Sequence, residues 1–244
     1  MDVALTVVGV VAIAGYAAWR AWRRHARQRR LMQVADRAGL RFAAVDLDGT
    51  VAWLPFRWAL GGTWLGAENL ISYLDDGVLA FDLVLEEPVS ASEGRPRRSR
   101  HTCAAIPVEA GCPPMLIRPQ LPIDGLAEAF TSAAIDLDLE AFNRRFTVRC
   151  DDRRFAVACC DQRMMRAILT LPPGVAVATN EDRLLLLADE LPPPQVLLLL
   201  EAARRVRDAV PAVLTSLYPP RPARSPFEDR WLQGRWSPDP IGRE

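Results

Sequence analysis

The first apolar stretch of the chain, VALTVVGVVAIAGYAAW, runs from Val3 to Trp19 without a charge. As a helix it rises roughly 26 Å at ~1.5 Å per residue, close to the ~30 Å hydrocarbon core of a bilayer. Tyr16, Trp19 and Trp22 stand at its C-terminal margin, where amphipathic rings favour headgroup level. LMQVADRAGL, Leu31 to Leu40, keeps a helical period and stops at Gly39. Beyond Arg41 the pattern shortens to alternation. VLAFDLVLEE (Val78 to Glu87) and HTCAAIPVEA (His101 to Ala110) read as paired strands joined by the polar loop SASEGRPRRSR. MLIRP (Met115 to Pro119) reads as a further strand. Ile135, Leu137 and Leu139, then Phe146, Val148 and Cys150, predict two more strands around Phe142 and Asn143.

From Asp152 to Leu171 the spacing becomes helical again, with Asp161 placed to break or cap the middle. VAVAT and RLLLLAD flank Asn180, Glu181 and Asp182, the pattern of a hairpin. Pro192, Pro193 and Pro194 open a helix through about Val210, with Val196, Leu199, Leu200, Ala203, Val206 and Val210 on one face. After Tyr218 the chain is rich in proline and lacks periodicity, as an extended or disordered tail does. Strands come first and helices late, without βαβ alternation. The fold class is therefore α+β: an N-terminal transmembrane helix, then a mostly antiparallel sheet with a few packed helices. The expected division is 1–22 anchor, 23–40 juxtamembrane basic helix or linker, 41–215 α+β domain and 216–244 tail.

Charge orients this plan. Only Asp2 precedes the apolar run, whereas Arg20, Arg23, Arg24, Arg27, Arg29 and Arg30 follow it. The positive-inside rule then keeps the C-terminal side in the cytoplasm, a single-pass arrangement in the cell membrane. A cleaved signal peptide wants the opposite polarity. Trp19, Arg20, Trp22, Arg23 and Arg24 are the expected membrane-interface residues. The arginines serve as a stop-transfer flank, and a juxtamembrane basic segment also attracts anionic lipid.

The 244 residues carry 30 basic and 30 acidic side chains, and every basic one is Arg. The balance argues against a dedicated nucleic-acid binder. The absence of Lys removes P-loop ATPases, protein kinases and Schiff-base enzymes, each of which centres on a lysine amine. The five cysteines form no CxxC. His101, Cys103 and Cys112 are too few for a zinc set, and a Cys/His nucleophile would need His101 beside one of the thiols. Small buried free thiols are the plainer reading. No cofactor and no metal is expected.

Asp46, Asp48, Gly49 and Thr50 spell DxDGT, which resembles the first motif of the haloacid dehalogenase phosphohydrolases. That resemblance implies Asp46 as nucleophile and Asp48 as general acid/base beside Mg²⁺. The chain lacks the later lysine and the βαβ pattern of that family, and Asp-Gly is also a preferred turn dipeptide. Arg95, Arg97, Arg98 and Arg100, placed at a hairpin tip, read either as a solvated loop or as a grip on phosphate.

Glu140, Phe142, Asn143, Arg144, Arg145 and Phe146 form a Glu-x-Phe-Asn-Arg-Arg-Phe element, preceded by Gly66, Asn69, Ser72, Ala80, Phe81 and Asp82. Together they resemble a family of uncharacterised single-pass membrane proteins of high-GC actinobacteria, over roughly residues 39–201. The all-arginine usage suits a GC-rich genome. The resemblance supplies architecture and no activity. Asn143 reads as a turn residue satisfying backbone groups, with Phe142 and Phe146 inward. The rival is a recognition surface of Glu140, Asn143, Arg144 and Arg145. The expectation is thus a membrane-anchored cytoplasmic module binding anionic lipid or a protein partner without catalysis; the alternative is an Mg²⁺-dependent phosphohydrolase using Asp46 and Asp48.

Overall fold

The computed structural model describes residues 2–47, 49–51, 54–60, 63–73, 77–87, 97–120 and 135–220. Helix α1 (Asp2–Arg37) is continuous through the apolar run and the arginine flank. It ends in a Schellman arrangement: Leu40 N–H reaches Ala35 O at 2.9 Å, Gly39 N–H reaches Asp36 O at 3.1 Å, and Gly39 takes φ +66°. The chain then doubles back as β1 (Arg41–Val45). Among the described residues no helix is long and apolar enough to cross a membrane. The side chains of residues 2–7, 9–10 and 12–13, on which the anchor reading largely rests, lie outside the described residues.

A short helix α2 (Arg57–Leu60) follows, then strands β2 (Thr63–Ser72), β3 (Leu79–Glu87) and β4 (Arg97–Pro119). After helix α3 (Glu140–Asn143) come β5 (Phe146–Cys150), helices α4 (Arg153–Cys159) and α5 (Gln162–Leu169), strand β6 (Ala176–Asp189), and helices α6 (Pro193–Asp208) and α7 (Val213–Leu217). The six strands form one sheet in the order β1-β2-β3-β4-β5, with β6 also on β4, and every pairing is antiparallel. The α+β expectation holds in this form.

The centre of the sheet is buried on both faces. On one side Leu31 and Ala35 of α1, Phe155 of α4, Ile168 of α5 and Leu199 of α6 pack against Ile106, Ile117, Leu184 and Leu186. On the other, Val51, Leu54 and Phe56 pack with Phe81, Leu83, Leu85, Leu185 and Leu187. A strand covered on both faces needs no polar alternate, which is why Leu184–Leu187 is a continuous apolar run.

Three strand expectations are corrected. The apparent hairpin at Asn180-Glu181-Asp182 is one strand, β6. Glu181 takes φ +51° there, and five steps of β4 from Pro107 to Cys112 face two of β6 from Arg183 to Glu181. The turn signal marks a bulge beside an irregular stretch of β4, not a reversal. MLIRP is not separate: β4 runs through it, and its prolines leave carbonyls that Thr179 Oγ1 (to Pro113 O, 2.8 Å) and Cys150 Sγ (to Pro114 O, 3.4 Å) take up. Ile135 to Leu139 is no strand, and Phe142 and Asn143 lie in α3.

The helical expectations hold closely. Asp152 and Asp161 cap α4 and α5, accepting from Phe155 N–H at 2.9 Å and Met164 N–H at 2.7 Å. The domain extends past residue 215. Tyr218 stands edge-on to Phe155 at 5.1 Å, donates its hydroxyl to Asp152 at 2.9 Å, and accepts Gly111 N–H at 2.8 Å. The tail at 221–244 lies outside the described residues.

Candidate functional site

The most elaborate polar arrangement joins α1 to the sheet. Arg27 is one helical step from the exposed flank, and its side chain is 9% exposed. Its Nε and Nη2 donate to the two oxygens of Asp82 on β3 at 2.8 and 2.7 Å, and Nη1 donates to Leu191 O at 2.6 Å. Asp82, itself buried, also accepts from Asn69 Nδ2 at 2.8 Å and Thr102 Oγ1 at 3.2 Å. Thr102 Oγ1 in turn accepts Leu191 N–H at 3.0 Å.

Local structure places each group. Between Glu68 and Ile71 the β2 register slips by one against β3, and Asn69 is the residue with φ +56°. That bulge turns its amide onto Asp82. Asp82 and Thr102 are direct cross-strand partners in the β3–β4 ladder. Around this buried centre Glu68 pairs with Arg24 and with Arg100 (3.0 Å), while Glu190 lies 3.3 Å from Arg27 and 3.5 Å from Arg100. Three guanidinium groups thus meet three carboxylates. Burial works against the Arg27 charge, but the hydrogen bond and charge of Asp82, with the charge of Glu190, outweigh it and hold the guanidinium above its ordinary range.

Chemically the cluster is charge-balanced, each carboxylate paired with a guanidinium and only the buried Nε of Arg100 left without a hydrogen-bond partner, which suits a fastener rather than a reaction centre. A buried ion pair of this kind contributes little net stability against an apolar replacement, yet it penalises every other register of the helix on the sheet. Leu31 and Ala35, one and two turns further along, continue the same buried stripe. On the other side of Arg27 the burial stops: every side chain from Ala14 to His25 is exposed. A cleft of about 230 Å³ marks the transition, lined by Ala21, Arg24, His25 and Gln28 of α1 and by Ala44, Val45, Glu68 and Asn69.

The expected interface residues stand on the free part of α1. Trp19 and Trp22 are 47% and 61% exposed. The Arg23 guanidinium lies over the Trp19 ring at 5.0 Å, and Tyr16 is 5.9 Å from the same ring. Arg20 is exposed, and Arg24 turns onto Glu68.

The arginine loop is corrected in part. Arg97 and Arg98 belong to β4, opposite Glu87 and Glu86, and Arg98 lies 3.7 Å from the Glu86 carboxylate. Cross-strand charge pairing accounts for that placement. Arg95 lies outside the described residues.

In the Phe-Asn-Arg-Arg-Phe element the structural reading is the one the geometry favours. Asn143 binds both main-chain groups of Leu137, donating to its O at 2.6 Å and accepting its N–H at 3.2 Å. Phe142 and Phe146 are buried and stack at 5.2 Å. Arg145 donates to Leu169 O and Leu171 O, at 2.7 and 2.8 Å, at the end of α5. Glu140, Ala141 and Arg144 face solvent, and Glu140 and Arg144 pair with one another at 2.8 Å.

Asp46 follows β1, an edge strand antiparallel to its neighbour, and its oxygens accept Thr50 N–H (2.9 Å) and Val51 N–H (2.8 Å). That is the geometry of a turn cap. Asp48 lies outside the described residues. All five cysteines are buried and free, and burial pushes Cys103, Cys112 and Cys150 upward. His101 faces Asp189 at 3.7 Å, and among the described residues no group of three or more His, Cys, Asp or Glu side chains is arranged to hold a metal.

The clamp had only indirect signals in the sequence. Asn69 and Asp82 are among the residues on which the resemblance noted in the sequence rests, and Asp82 is a lone acid inside the apolar run LAFDLVL.

No family model and no curated protein matches the chain. Among solved structures it is similar to the crystal structure of the mycobacterial trehalose monomycolate transport factor A, TtfA, at 17% identity and a TM-score of 0.49, covering 80% of this chain and 98% of that one.

Proposed function

We propose that the protein is a membrane-anchored presentation module: α1 spans the bilayer with its N-terminus outside, and the clamp holds the α+β domain at a set orientation on the cytoplasmic face. There the domain acts as an interaction module for a protein or anionic lipid, without catalysis. The observation that carries this is where docking ends. Residues 2–20 project beyond the cleft that begins at Ala21. They rise roughly 28 Å as helix, nearly the thickness of the hydrocarbon core. The uncharged stretch from Val3 to Trp19 occupies that same length. Val8 and Val11 on it are 66% and 65% exposed, apolar surface that lipid would cover.

Arginine is confined to the domain side of the helix, which supports the cytoplasmic placement. The test is extraction and topology of the full chain in its native membrane. Alkaline carbonate should leave the protein in the pellet, and protease added outside intact cells should spare the domain. Release by carbonate, or digestion from outside, overturns the reading.

A further inference from the structure

A clamped helix fixes which part of the domain faces the bilayer. The turn at Gly39 sends β1 back along α1, so successive β1 residues approach the helix N-terminus, and Val45 reaches the level of Ala21 to Gln28 in the cleft. Leu47 lies two residues further on, around a tight turn in which its N–H donates to Val45 O at 3.1 Å. Trp19 lies only about 3 Å above Ala21 on the helix at ~1.5 Å per residue. Val45 is thus level with the helix segment that carries Trp22, and Leu47 follows within two residues of it.

At that level the sheet end exposes apolar side chains, while the carboxylates beside them are engaged, Asp46 by main-chain N–H groups and Glu68 by arginines. Val45 is 54% and Leu47 91% exposed. The Asp46 turn cap holds the backbone that presents Leu47. Leu65, also exposed, is the extra residue of a second bulge where Trp64 and Gly66 of β2 face adjacent residues of β3. Val84 and Leu85 of β3 are those neighbours, so this bulge sits at the same end of the β1–β2 pair as Leu47. Arg20 and Arg23 are exposed on the adjoining stretch of α1, Arg23 over the Trp19 ring, whereas Arg24, Arg27 and Arg100 are neutralised within the clamp. An apolar rim flanked by unneutralised cations suits one occupant: the interfacial layer of a bilayer containing anionic lipid.

We propose that the end of β1, Val45 and Leu47 with Leu65 beside them, is a second bilayer contact that dips into the headgroup region and seats the domain on the membrane. This rests on the anchor reading and goes beyond it. A domain merely tethered by α1 would keep Leu47 in water.

Full-length protein carrying Leu47→Cys is labelled with an environment-sensitive fluorophore; the native thiols, buried in the core, stay unlabelled. It is reconstituted in vesicles of phosphatidylcholine and phosphatidylglycerol containing lipid with a nitroxide at the headgroup. Two further single variants are treated alike: Val8→Cys on the projecting helix, with nitroxide deep in the acyl chains, and Val157→Cys on the exposed side of α4. The expected result is blue-shifted emission and strong quenching at positions 8 and 47, and neither at 157. Quenching at 8 without quenching at 47 overturns the second contact and leaves the anchor standing. Absence of quenching at both overturns anchor and contact together.

Discussion

Arg27 meets Asp82 side-on, Nε to Oδ2 at 2.8 Å and Nη2 to Oδ1 at 2.7 Å, joining α1 to β3 across 55 positions of chain. The same guanidinium also serves Leu191 O and, at 3.4 Å, Thr102 Oγ1, so four acceptors depend on one planar fork. An ammonium cannot reproduce that geometry.

Removing either partner alone leaves a buried charge, a change that costs about 3–5 kcal/mol. Arg27→Met and Asp82→Leu are each expected to lose that much by urea denaturation of detergent-solubilised protein. The double variant should lose far less than the sum, because an apolar pair of similar volume replaces the ion pair without stranding a charge. Arg27→Lys should fall between wild type and Arg27→Met. Additive single losses would show that the two groups act independently.

The Phe-Asn-Arg-Arg-Phe element gives an ordered series. Asn143→Ala strands the N–H and C=O of Leu137, a loss of about 1–3 kcal/mol. Arg145→Ala removes two charged donors from the carbonyls ending α5, about 1.5–3 kcal/mol by the same reasoning. Arg144→Ala breaks only an exposed pair to Glu140, about 0.5 kcal/mol or less. Thermal or urea unfolding of the three variants should reproduce this order. A large loss from Arg144→Ala would mean that its surface makes a contact beyond Glu140.

Local signals carried much of the fold. Asp161 announced the break between α4 and α5 because capping is decided within four residues, and Gly39 announced the end of α1 for the same reason. The β6 reading failed where a local signal was ambiguous: Asn-Glu-Asp suits a reversal, and it equally suits a left-handed kink at Glu181 within a strand. Only pairing with β4 decides between them, and pairing is not local. The clamp lay further from view. It gathers residues 27, 69, 82, 102 and 191, and no spacing rule links a helix arginine to a strand aspartate through tertiary packing. Asp82 amid apolar neighbours was the one visible anomaly.

The two capping aspartates should separate by their second partners. Asp161 accepts from Met164 N–H, and replacing such a cap with Ala costs about 1 kcal/mol. Asp152 caps α4 and also receives the Tyr218 hydroxyl, so Asp152→Ala should cost about 1 kcal/mol more than Asp161→Ala. Tyr218→Phe should erase that difference in a double-mutant cycle with Asp152→Ala, read by chemical denaturation. Equal losses at both caps would place the Tyr218 contact among those without energetic weight.

The lysine-free composition makes the alkaline range unusually clean. Burial, with nearby thiol and carboxyl charge, pushes Cys112 from 9.0 up to about 12, and burial pushes Cys150 to about 11. Tyr218 is likewise raised to about 12 by burial and by Asp152. These groups are neutral when protonated, so the folded state retains protons that the unfolded chain has already released. Their contribution is whole below the unfolded thiol value near 9 and is lost as pH rises toward 11 to 12. Stability should therefore decline steadily over that window, with no lysine titration superimposed. Urea midpoints measured from pH about 8 to about 11 should fall in the wild type and fall less steeply in Cys112→Ala, whatever that variant's stability at neutral pH. Parallel slopes in the two proteins would show that the Cys112 thiol ionises alike in the folded and unfolded chains.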